Sequence, residues 1–112
     1  MNVSVQGCCR RSSCSKSIPI ALVSEQLCLD HFLDEAFVRT DHTFDRCREG
    51  RAINAADLER LLADSLAIVK NLEEGAEEAD PEQRDKMLEL LLILANLHEY
   101  VARHSVPIVR PA

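Results

Sequence analysis

Between Leu29 and His104 the apolar residues recur at spacings of three and four, in three separate runs. That pattern confines the chain to amphipathic helices packed on one another. In the first run Phe32, Leu33, Ala36, Phe37, Thr40, Phe44 and Cys47 share a face, while Arg39, Asp41, Asp45 and Arg46 lie off it. At about 100° per residue the stripe is about 140° wide. Gly50 can take the left-handed backbone that ends a helix, so the first helix is expected over 29–49.

Asn54 suits the N-cap of a second helix, because its side-chain oxygen can accept a free first-turn N–H. Asp57 complements the positive end of that helix's dipole. Leu58, Leu61, Leu62, Ser65, Leu66, Ile68, Val69 and Leu72 make its apolar face, and it is expected over 54–75, fading at Gly75. The third helix, expected over 80–104, has Asp80 as N-cap, Pro81 at its first position and Gln83 at the capping-box position. Arg103 and His104 suit its negative end and Pro107 forbids continuation, leaving 105–112 as a tail.

The third helix is too apolar for its place. Met87, Leu88, Leu90, Leu91, Leu92, Ile93, Leu94, Ala95, Leu97 and Val101 occupy most of the wheel, and only the Glu89, Asn96 and Glu99 sector is polar. A helix at the edge of a three-helix bundle buries about half its circumference. Cover is therefore expected from the N-terminal segment, from a second subunit or partner protein, or from both. Left bare, the excess would be a sticky patch.

One domain is the most that 112 residues support. With 46% hydrophobic and 29% charged residues the balance is globular, and only Phe32, Phe37, Phe44 and Tyr100 are aromatic, so aliphatic side chains must build the core. The net charge of -6 is uneven: residues 1–24 carry Arg10, Arg11 and Lys16 and no acid, which leaves an acidic remainder that would repel nucleic acid. Glu73, Glu74, Glu77, Glu78, Asp80 and Glu82 read as a solvated acidic connection. No signal peptide is visible, and the longest strongly apolar stretch, Leu90 to Leu97, is far below the ~20 residues of a membrane span. A cytoplasmic location is the default expectation, where clustered cysteines serve as metal ligands more often than as disulfides.

Five cysteines occur, at 8, 9, 14, 28 and 47, an odd count that argues against a complete disulfide framework. Cys9-x4-Cys14, thirteen residues, then Cys28-x2-His31 gives two close pairs that a folded-back loop can join into a tetrahedron for one zinc ion. Cys28 and His31, three apart at the mouth of the first helix, project to one side and away from the Phe32 stripe. Cys8 is the alternative first ligand, and Cys47, in phase with Phe44, is a core residue. Four protein ligands leave no open position, so the expected zinc is structural.

The run C-x4-C…C-x2-H, with a hairpin between the pairs and a helix at the second, resembles a treble-clef-type zinc knuckle; its second pair reads Leu27-Cys28-Leu29-Asp30-His31. The resemblance covers about residues 8–33, with Ser13 where a glycine usually precedes the second Cys. It implies a short β-hairpin, for which Ile18 to Val23 is the β-like run. The expected fold is thus mainly α: one domain over 1–112, with a zinc knuckle in 1–28 and an up-down-up antiparallel three-helix bundle.

Motifs for catalysis are missing: no H-E-x-x-H, no Glu-x-x-His, no Gly-rich phosphate loop and no nucleophile elbow. The expectation is a zinc-stabilised, non-enzymatic protein that binds another protein or a second copy of itself. One alternative is a nucleic-acid-binding zinc module making phosphate contacts through Arg10, Arg11 and Lys16. Another is a thiol redox sensor built on Cys8, Cys9 and Cys14.

Overall fold

A computed structural model describes residues 9–11, 14 and 16–109. Cys8 and Ser13 lie outside the described residues. The chain forms a short 3-10 turn, Ile20–Leu22, and three helices: α1 (Leu29–Arg48), α2 (Ala55–Glu73) and α3 (Pro81–Arg103).

Each helix limit has a local cause. Gly50, at φ 71°, closes α1 with its N–H on the Cys47 carbonyl, and Arg51 N–H bonds the Arg46 carbonyl. The same paired closure ends α2 at Gly75, through the carbonyls of Leu72 and Asn71. Asn54 accepts the Asp57 N–H at 3.0 Å to start α2. Asp80 and Gln83 bond reciprocally, at 2.8 and 3.1 Å, to start α3 behind Pro81.

The expected β-hairpin is not found. No strand occurs among the described residues, and the run Ile18 to Val23 contains the 3-10 turn instead. Pro19, at φ -60°, precedes that turn, and Leu22 N–H bonds its carbonyl at 2.9 Å. Ile18 and Leu22 are both buried, a spacing of four that a turn and a strand alike place on one side, so the buried pair does not by itself select either.

At the centre lies α3, packed against both α1 and α2. Met87, Leu90, Leu94 and Leu97 are fully buried along it. Phe32, Leu33 and Ala36 of α1 and Leu58, Leu61 and Ile68 of α2 join the same core. So do Ile18, Leu22 and Leu27 from the segment before α1, whose 3-10 turn rests on α2. After α3 the chain returns to the α1–α2 connection, where Ile53 donates to the Pro107 carbonyl and accepts from Val109.

The N-terminal segment covers core, yet it does not cover all the apolar surface. Leu66, Leu88 and Leu92 remain 51%, 56% and 64% exposed. Leu66 belongs to α2, and the other two to the side of α3 away from its buried row. No helix is long and apolar enough to cross a membrane.

Candidate metal centre

Cys9 N–H bonds the Lys16 carbonyl at 3.3 Å, and Cys14 N–H bonds the Arg11 carbonyl at 3.1 Å. Arg10 N–H then bonds the Gln26 carbonyl at 2.7 Å, docking this knuckle onto the connection that leads into α1. Gln26 has φ 57°, a reversal that aims Leu27 into the core and leaves Cys28 as the N-cap of α1. His31 follows in the first turn.

These elements bring Cys9, Cys14, Cys28 and His31 together, with all ligand atoms within 4.8 Å of one another. His31 presents Nδ1, at 3.2 Å from Cys9 Sγ and 3.4 Å from Cys28 Sγ. Cys14 and Cys28 sulfurs are 3.9 Å apart. A zinc tetrahedron with Zn–S bonds of about 2.3 Å has S···S edges of about 3.8 Å, so the spacing fits one ion at the centre. Cys9 and Cys28 are buried, while Cys14 and His31 are partly buried. Cys47, by contrast, sits buried in the core away from this group, and burial pushes its thiol up.

The thiols are electrostatically unequal. Burial opposes ionisation of Cys9, but the backbone N–H groups of Cys28 and Arg11, with hydrogen bonds from His31 and Cys14, outweigh it and lower the thiol to about 6. Burial pushes Cys28 up to about 11, reinforced by Cys14 and Cys9 against the pull of the His31 N–H. One sulfur thus favours thiolate while its neighbour keeps a proton. A bound divalent cation would take both as thiolates and release that proton.

Three further residues brace the cluster. Glu35, one turn beyond His31 on α1, bonds Arg10 at 2.9 Å and Arg11 at 3.1 Å. Asp30 pairs with Lys16 and accepts from Gln83 Nε2 at 2.7 Å. Lys16 and then Gln83 hold the Asp30 carboxyl below the usual carboxylate range. The capping residue of α3 is thereby joined to the first turn of α1. The spacing of Glu35 from His31 is visible in the sequence, whereas the Asp30–Gln83 bond joins residues 53 apart and leaves no local trace.

No protein-family model, curated protein or solved structure matches the chain. The chemistry of the site therefore rests on its own donor atoms.

Proposed function

We propose that this is a small non-catalytic interaction protein in which a structural zinc ion holds the N-terminal segment in place and the bare α2–α3 face docks a protein partner. Cys9, Cys14, Cys28 and His31 supply the four ligands, in a knuckle of treble-clef type. Three thiolates and one Zn²⁺ carry a net negative charge, which suits the N-terminus of α1 and the neighbouring Arg10, Arg11 and Lys16. A filled tetrahedron offers no position to a substrate. The bond between Asp30 and Gln83 at one end, and the bridge between Ile53 and Ile108 at the other, support an up-down-up order of helices.

The observation that carries the interaction reading is the exposure of Leu66, Leu88 and Leu92 after the N-terminal segment has taken its place in the core. Arg10 and Arg11 are engaged by Glu35, and Lys16 by Asp30, which favours this reading over nucleic-acid contact.

Elemental analysis of protein purified without added metal tests the centre. One zinc per chain is expected, falling to a small fraction in Cys14→Ser. Metal-free wild type that forms a Cys14–Cys28 disulfide would instead favour the thiol-sensor alternative.

A further inference from the structure

A cleft of about 430 Å³ opens where α1, the connection into α2 and the returning Val109 meet. Its volume is within the range of about 300–1,000 Å³ usual for small-molecule sites. None of the four metal ligands lines it, and neither do Leu66, Leu88 and Leu92. Arg39, His42 and Arg46 reach it from α1. Their spacings of three and four set them on one face of the helix. Arg39 and Arg46 are about 10.5 Å apart along the axis, with His42 between them.

The two arginines are held differently. Arg39 is neutralised, its Nε and Nη2 both donating to Asp57, the only acid among the described residues that line the cleft. Arg46 donates Nε to the Ala52 carbonyl at 2.7 Å, which orients the guanidinium and leaves its charge unpaired. Among the described residues its two terminal nitrogens have no hydrogen-bond or ion-pair partner. Asn54 accepts the Asp57 N–H through Oδ1, so Nδ2 is left as a further donor on the opposite wall. Two arginines against one aspartate make the lining positive in a chain of net charge -6. Such a local field draws anions. The flank is apolar: Val38, 68% exposed, lies one turn before His42, and Val109 is half exposed.

We propose that this cleft binds a small organic anion, with a carboxylate or phosphate head on Arg46 and Asn54 and a short apolar body against Val38 and Val109. The terminal nitrogens of an arginine form a planar fork that matches two oxygens of such a head. Because Nε is already anchored, ordering the side chain costs binding little. The apolar flank beside the charge distinguishes an organic anion from an inorganic one, which would gain nothing from Val38. The site is separate from the metal centre and from the α2–α3 face, and it depends on neither reading.

Amide NMR of the full chain, titrated at constant ionic strength with hexanoate, hexyl phosphate and acetate, tests this. Saturable shifts centred on Asn54 and on residues 42–46 are expected with at least one of the two six-carbon probes, with a dissociation constant on the order of 1 mM. The tighter of the two identifies the head group. Acetate, which lacks the apolar body, should bind at least fivefold more weakly than hexanoate. Arg46→Gln is expected to weaken binding at least tenfold. Val38→Glu, at an exposed helix position that leaves the core untouched, should do the same and decides the matter if Arg46→Gln unfolds. Arg103→Gln on α3 should change nothing. No saturable shift with either six-carbon probe overturns the site, as does binding that survives Val38→Glu unchanged. Acetate binding as tightly as hexanoate overturns the apolar body.

Discussion

Asp64 and Ser65 are adjacent on α2 and neither suits its place. Burial, the nearby Glu25 carboxylate and a hydrogen bond with it raise the Asp64 carboxyl to about 6, while Arg60 and Arg39 pull the other way. Its Oδ2 has no hydrogen-bond partner. The folded state then holds a proton that the unfolded chain releases near pH 4. The resulting contribution favours folding below about pH 4 and is lost as pH rises through about 6. Asp64→Asn is expected to raise the thermal midpoint at pH 8 and change it little at pH 4.5. Equal shifts at both values would contradict the assignment. Ser65 Oγ is fully buried and unpartnered, so Ser65→Ala should stabilise by about 1 kcal/mol in urea denaturation.

Helix ends are the strongest local instructions in the chain. Gly50 sits at φ 71° with nothing within 4 Å of where a Cβ would stand. Gly50→Ala therefore tests conformation alone, and a loss of about 1 kcal/mol is expected. Gln83 has two duties: its Oε1 closes the capping box and its Nε2 bonds Asp30. Gln83→Ala should thus cost more than Asn54→Ala, which removes an ordinary cap of about 1 kcal/mol. A smaller loss for Gln83→Ala would mean that the link to α1 carries no energy. The three helices were legible from these signals, with observed limits inside the expected ranges by no more than two residues. The run Ile18 to Val23 was not, because five apolar residues around one proline satisfy a strand or a turn equally well.

At the scale of the whole molecule, the described residues before α1 hold no regular element beyond the turn Ile20–Leu22, and in the proposed reading the metal fixes their position. Leu22 and Leu27 are fully buried, yet the chain that carries them is irregular. Chelation at pH 7 is expected to lower the thermal midpoint by many degrees, since coordination contributes on the order of 10 kcal/mol to modules of this kind. Scanning fluorimetry with and without chelator checks it, and an unchanged midpoint would remove the metal from the account of stability.

The grouping of Cys9, Cys14, Cys28 and His31 was readable from spacing, because ligand pairs three and five residues apart must lie close whatever surrounds them. Caps and terminating glycines were readable for the same reason: their partners are within five residues. What the tertiary structure alone decided is how the apolar surplus of α3 divides between Met87, Leu90, Leu94 and Leu97 inside and Leu88 and Leu92 outside. All six are equally hydrophobic to a reader of the sequence. Only the placement of α1, α2 and the N-terminal segment around the helix determines which of them water still reaches.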